Sequence, residues 1–172
     1  HRLWRVRAIV CIFGKQADTR VPALSAHEAR HRVIMKTVMA FGTFDIVHAG
    51  HVDFFRQARK LGDKFIVVVG RDTTVEDIKG SRPFYTEKER VHLLEHIDYI
   101  DSVILGDTKD VYAAVAKVKP DVIALGYDQN NFVDGLKEYI KKSKKKIRVV
   151  RLKPYRSNRY KTGKIKEYLG IV

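Results

Sequence analysis

Apolar residues fall along this chain in two alternating rhythms. Short, mostly apolar runs, rich in β-branched side chains, occupy residues 36–41, 65–69, 102–105, 121–125 and 147–152. Runs this short and this largely apolar predict strands covered on both faces, as in a parallel sheet. Between them the apolar positions spread out to helical intervals. Residues 49–61 place Val52, Phe55, Ala58 and Leu61 near helical spacing and end at Gly62, a residue suited to a helix C-terminus. A short helix is predicted up to Ile78. Thr86 and Glu89 then form a capping box ahead of Val91, Leu94 and Ile97. Residues 111–118 form a helix stopped by Pro120. Residues 132–144 form one with a basic outer face, and residues 165–169 close the chain as a short helix.

Strand and helix in alternation predict an α/β fold, a doubly wound three-layer sandwich with a five-stranded parallel sheet. Ligands of such sheets bind beyond the C-terminal strand ends. The loops at residues 42–44, 70–72, 106–108, 126–128 and 153–155 are expected to converge there. The first of them runs Gly42-Thr43-Phe44-Asp45-Ile46-Val47-His48-Ala49-Gly50-His51. A strand, a glycine turn and a helix start are where such a fold seats a phosphate, because the first N–H groups of the helix are free and its dipole is positive there.

Residues 1–34 break the pattern. Residues 6–13 could make a strand, and the rest is polar and basic without clear period. We expect 1–34 to be a poorly ordered basic extension, and 35–172 to be the functional domain with Met35 as its natural start. A secretory signal fits poorly, since the apolar centre is very short and no small-residue cleavage site follows. No apolar run approaches the ~18 residues needed to span a bilayer. The single cysteine, Cys11, cannot form an internal disulfide, which favours a reducing, cytoplasmic location.

The net charge of +14 is unevenly spread. Residues 1–34 carry +5, residues 35–136 carry −3 and residues 137–172 carry +12. The basic end could meet an anionic partner, but no RNA-binding signature or zinc-finger spacing supports nucleic acid. The chain also lacks a G-x-G-x-x-G turn, a G-x-x-x-x-G-K-[ST] loop and a G-x-S-x-G elbow. No third His, Cys or carboxylate stands at a familiar zinc interval from His48 and His51, so no protein metal site is expected.

Gly42-Thr43-Phe44-Asp45-x-x-His48-x-Gly50-His51 resembles the signature of the H-x-G-H nucleotidyltransferases, a cytidylyltransferase-like superfamily with a Rossmann-like fold. The resemblance spans residues 35–169 and makes 35–172 a nucleotidyltransferase domain. Two subgroups are most similar. Ile123-Ala124-Leu125-Gly126-Tyr127-Asp128-Gln129 and Lys153-Pro154-Tyr155 resemble the archaeal-type FAD synthases, which adenylylate FMN. Those enzymes carry a cysteine pair near the C-terminus that this chain lacks. Arg156 and Lys161-Thr162-Gly163-Lys164-Ile165-Lys166 loosely resemble the ending of glycerol-3-phosphate cytidylyltransferases. ATP with FMN leads, CTP with glycerol 3-phosphate is the alternative, and base and acceptor stay open at this point. The non-enzymatic alternative is a nucleotide- or nucleic-acid-binding module.

The resemblance implies attack by an acceptor phosphate oxygen on the α-phosphorus of a nucleoside triphosphate, with pyrophosphate leaving. The nucleophile is already an anion, so such a site needs positioning and charge neutralisation rather than a general base. His48 and His51 are the expected catalytic residues, stabilising the α- and β-phosphates. Thr43, Phe44, Ala49 and Gly50 are expected beside the triphosphate, Asp128 near the nucleoside, Tyr155 in the base or acceptor pocket, and Thr162 at a β- or γ-phosphate. Lys79 and Arg82 could close over the acceptor phosphate. Arg90 reads as structural, and Asp45 either orients the motif or holds a metal-bound water. Mg²⁺ or another divalent cation is expected mainly on substrate phosphates. A homodimer is expected from the resemblance alone.

Overall fold

The computed structural model describes residues 35–110, 112–130, 133–143 and 146–171. The expectations placed on residues 1–34 therefore lie outside the described residues, as do Val111, Phe132 and Lys144 at predicted helix ends. The elements follow in the order β1 (Thr37–Gly42), α1 (Ala49–Arg59), β2 (Lys64–Val69), α2 (Asp72–Lys79), α3 (Glu87–Glu95), β3 (Ser102–Leu105), α4 (Ala113–Val118), β4 (Val122–Leu125), α5 (Val133–Lys142), β5 (Arg148–Arg151) and α6 (Thr162–Tyr168). The five strands form one parallel sheet in the order β3-β2-β1-β4-β5. The chain steps outward from β1 to β3 and then returns to β1's other side as β4. The switch point lies between β1 and β4, and β1 runs two residues past its last β4 partner, Ala40↔Ala124.

Alternation along the strands divides the core in two. Val38 and Ala40 of β1, with Phe65, Val67 and Val69 of β2, face Phe55 and Ala58 of α1 and Leu94 of α3. Met39, Val68, Ile123 and Leu125 face Ala114, Val115, Val133 and Leu136 of α4 and α5 on the other side. These are the three layers predicted. Three aspartates define the opposite, N-terminal edge of the sheet. Asp63, Asp121 and Asp101, each just before a strand, accept from the N–H groups of Lys36, Thr37 and Phe65 at 2.7–2.8 Å. They satisfy donors that the first ladder bonds leave open.

Element ends differ from the sequence reading where tertiary contacts override local pattern. α3 stops at Glu95, yet Ile97 still packs on the core from the turn beyond it. α6 begins at Thr162, three residues earlier than the apolar spacing indicates. The Thr86–Glu89 capping box forms as expected. The N-termini of α2 and α3 also cap each other: Asp72 N–H donates to Glu87 Oε2, and Glu87 N–H donates to Asp72 Oδ2.

Candidate active site

The loop between β1 and α1 is built around Phe44. Its backbone is left-handed, at φ 51°, an uncommon state for a residue with a side chain. The ring drops into the core against Phe55 and meets His51 edge-on at 5.4 Å. It also lies over Gly42, where a Cβ would stand 2.6 Å from Phe44 Cζ, so the first motif position must be glycine.

His48 is the N-cap of α1. Its carbonyl accepts from His51 and Val52, and its Nδ1 accepts from Gly50 N–H at 3.1 Å. With Nδ1 accepting, the neutral ring carries its proton on Nε2, which leaves that N–H for the crevice. The His48 and His51 rings stack at 3.9 Å, 17° apart. Gly50 makes the stack fit: a Cβ there would meet His48 Cε1 at 2.9 Å and the Tyr160 carbonyl at 3.2 Å. Burial first, then the neighbouring His48 and also Lys79, push His51 down to about 3, while the Ile46 carbonyl and Asp128 act the other way. His51 Nδ1 is buried and completes no hydrogen bond among the described residues. Burial also lowers His48. Both rings are thus pushed toward the neutral form in the free protein.

The C-terminal strand ends and the segment after β5 close around this pair as one crevice of about 640 Å³. Thr43, Phe44, His48, Gly50, His51, Lys79, Asp128, Tyr155 and Thr162 all line it, so the structure brings together nearly every residue singled out from sequence. Ala49 is exposed on α1 and outside the lining, and Phe44 reaches the crevice with its ring turned into the core. Arg82 pairs with Glu76 at 2.7 Å and lines a smaller neighbouring pocket of about 200 Å³, which shares Thr43, Lys79 and Thr162 with the crevice. Burial lowers the Lys79 ammonium, and nearby Lys166 and Arg90 add to the effect against the pull of Asp45.

Two further residues of the crevice, Tyr160 and Lys161, carried no individual role in sequence. Tyr160 stacks on Tyr155 at 5.9 Å and 7°. Lys161 reaches Asp128 at 3.4 Å across the crevice. Gln129 accepts from Gly126 N–H and donates to the Phe41 carbonyl, bracing the loop after β4 against β1. Asp45, also buried, accepts from Tyr85 N–H at 2.9 Å and from Lys166 Nζ at 2.6 Å. Despite its burial, these donors hold its carboxyl below the usual carboxylate range. Both oxygens are engaged, so of the two roles expected for Asp45 the geometry favours orienting the loop. Among the described residues, no group of three or more His, Cys, Asp or Glu is placed to hold a metal ion.

This arrangement has no nucleophile–base pair at its centre. It offers neutral imidazole donors at a helix start, with lysines along the walls. It is suited to holding a polyanion in line rather than to activating a hydroxyl or water.

Comparison with known proteins agrees with the geometry. The cytidylyltransferase-like family matches residues 39–168. The chain is 47% identical over 121 residues to the FAD synthase of Aciduliprofundum boonei, covering 70% of this chain and 80% of that one. It is 42% identical over 130 residues to the FAD synthase of Thermococcus sibiricus, covering 74% and 88%. Among solved structures, a lipopolysaccharide core biosynthesis protein from Thermoplasma volcanium superposes with a TM-score of 0.66 at 40% identity, covering 70% of this chain and 98% of that one. A pantoate-beta-alanine ligase from Francisella tularensis, 15% identical with a TM-score of 0.53, shares the fold alone. With its stacked histidines at the head of α1 and relatives of this closeness, the chain belongs to the cytidylyltransferase-like family and is a nucleotidyltransferase in the group of these FAD synthases.

Proposed function

We propose that this enzyme transfers AMP from ATP to the phosphate of FMN, giving FAD and pyrophosphate. The observation that carries the reading is the stacked His48–His51 pair opening on a crevice of about 640 Å³ walled by aromatic side chains, among them Phe54, Tyr127, Tyr155 and Tyr160. That volume lies in the range of small-molecule sites and suits two flat ring systems better than a cytosine and a glycerol. The names of the similar FAD synthases point the same way.

In this proposal the triphosphate lies along Thr43, Gly50 and the histidines. His48 Nε2–H and His51 donate to the α- and β-phosphates as negative charge shifts toward the leaving pyrophosphate. A neutral donor serves this purpose, since the reaction moves no proton from the attacking phosphate. Asp128, Tyr155 and Thr162 contact the nucleotide, and Lys79 takes a phosphate of either substrate. Arg82 would have to leave Glu76 to join it.

A divalent cation, as Mg²⁺, supplies charge neutralisation when bound. The residues present fit an ion that arrives on the nucleotide, because Asp45 is engaged by Lys166 and Tyr85, and Asp128 by Lys161. Its ligands would be phosphate oxygens and water. We also propose that residues 35–172 suffice for this activity, in a cytoplasmic enzyme.

The test is pyrophosphate release with ATP or CTP against FMN or glycerol 3-phosphate, with Mg²⁺. Turnover of the ATP and FMN pair is expected. Turnover of CTP with glycerol 3-phosphate alone would replace the reading, and no turnover with any pair would remove it.

A further inference from the structure

The crevice wall after β5 reaches α6 through ten residues, 152–161, with no helix or strand among them. This segment nevertheless presents Tyr155, Tyr160 and Lys161 to the crevice. At its root, Leu152 N–H makes the last ladder bond, to the Leu125 carbonyl. The next residue, Lys153, has no strand beside it to pair with among the described residues. Its N–H donates to Gln57 Oε1 at 3.2 Å, and its carbonyl accepts from Gln57 Nε2 at 3.0 Å. One carboxamide thus satisfies both backbone groups of a residue 96 positions away.

The amide has little freedom to turn. Gln57 Nε2 also donates to Asp53 Oδ2 at 2.6 Å, and Arg56 holds Asp53 Oδ1 at 2.5 Å. Both amide protons and the carbonyl are therefore committed, which fixes which way the group faces. Gln57 stands on α1, the helix whose start carries His48 and His51. A second tie between the same helix and the same segment is the close approach of Gly50 to the Tyr160 carbonyl.

The geometry points to Gln57 as a positioning residue that sets the nucleotide wall at a fixed distance from the histidine pair. It acts through Lys153 on Tyr155, Tyr160 and Lys161, and touches no substrate itself. The inference rests on the proposed seating of the nucleotide along that wall. Glutamate cannot replace it, because a carboxylate has no proton to give the Lys153 carbonyl and would face Asp53 with like charge. Asparagine is one methylene too short.

The experiment compares Gln57→Glu and Gln57→Leu with the wild-type chain in two measurements. The first is the Kd of ATP with Mg²⁺ in the absence of acceptor. The second is the KM for ATP and for FMN alongside kcat. We expect ATP affinity to fall roughly tenfold, the size of one or two net hydrogen bonds, with the KM for FMN nearly unchanged. Adding Tyr155→Ala to Gln57→Leu should weaken ATP by less than the product of the single effects. A loss of melting temperature with unchanged ATP affinity, or an equal change for both substrates, overturns the inference and leaves the proposed reaction standing. If the wild type binds ATP but makes no FAD, the proposed reaction fails while the Kd comparison still decides the role of Gln57.

Discussion

Arg90 donates to the carbonyl of Thr43 at 2.6 Å from a side chain with no solvent exposure. The same guanidinium donates to the Gly70 carbonyl at 2.8 Å, the Tyr85 carbonyl at 3.1 Å and Asp72 Oδ1 at 2.6 Å. One planar fork thus joins the ends of β1 and β2 to the start of α3. It pins the loop that carries the histidines without entering the crevice. Lysine has a single donor centre and cannot span these acceptors. We expect Arg90→Lys to lower stability by about 2 kcal/mol and to lower kcat as the Thr43 loop loosens. Arg90→Met should cost ~3–5 kcal/mol, because Asp72 loses its buried partner. Urea unfolding with parallel kinetics checks both, and an unchanged midpoint in either variant would refute the clamp.

His48 has its Nδ1 committed to Gly50 N–H, so only Nε2–H is left for a phosphate. His48→Ala should lower kcat ~10²–10³-fold, as for loss of one preorganised donor, with a much smaller change in KM. His48→Asn should recover part of the loss. A general base would instead leave a pH–rate limb near the ordinary histidine range. We expect none in wild type over pH 6.5–8.5, since both rings are pushed toward the neutral form.

The burial that lowers His51 to about 3 also links stability to pH. Below about pH 6.5 the unfolded chain binds a proton at this histidine that the folded protein refuses. Stability contributed by the neutral ring is complete above that pH and is lost progressively as pH falls toward 3. The slope for one such group is at most about 1.4 kcal/mol per pH unit. Denaturant midpoints taken from pH 7.5 to 5 should fall less steeply in His51→Gln than in wild type. Equal slopes would show that the ring is not held neutral.

Asp45 and Lys166 meet at 2.6 Å, and the pair fastens α6 to the motif loop. Lys166→Met leaves a buried carboxylate with only backbone donors, so a loss of ~1–3 kcal/mol is expected, with a raised KM for ATP as α6 loosens. Asp45→Asn in that background should restore part of the stability. Additive effects in the double-mutant cycle would mean the contact carries no coupling.

Residues 1–34 bring +5 of the net charge, and among the described residues the crevice is lined by positions between 41 and 163. A chain beginning at Met35 should retain full kcat and KM for both substrates. A large rise in KM on truncation would give the basic segment a part in gathering anionic substrates.

How much of this was legible in the sequence depends on how far apart the partners lie. The motif from Gly42 to His51 is local: ten consecutive residues make the turn, the N-cap and the stacked rings, so its type and spacing could be read directly. The inner strands β1, β2 and β4 were legible because burial on both faces demands apolar runs; β5 departs from the expected burial, since it lies at the sheet edge with Arg148, Val149 and Arg151 exposed. Boundaries were less so. Thr162 starts α6 in the fold although the apolar positions that announce that helix come later.

The sequence by itself determined the α/β layering, the parallel sheet, the phosphate-facing motif and the reaction type that its resemblance implied. Only the tertiary structure decided what holds that motif in place. Arg90 reaches Thr43 across 47 residues, Asp45 is fastened by Lys166 and Tyr85, and Gln57 reaches Lys153 across 96. Each of these is an ordinary polar residue on a helix or a loop until the sheet order β3-β2-β1-β4-β5 brings the strand ends together. The physical reason is that apolar periodicity reports burial along one element. A long-range hydrogen bond depends on the relative placement of two elements, and no local pattern encodes that.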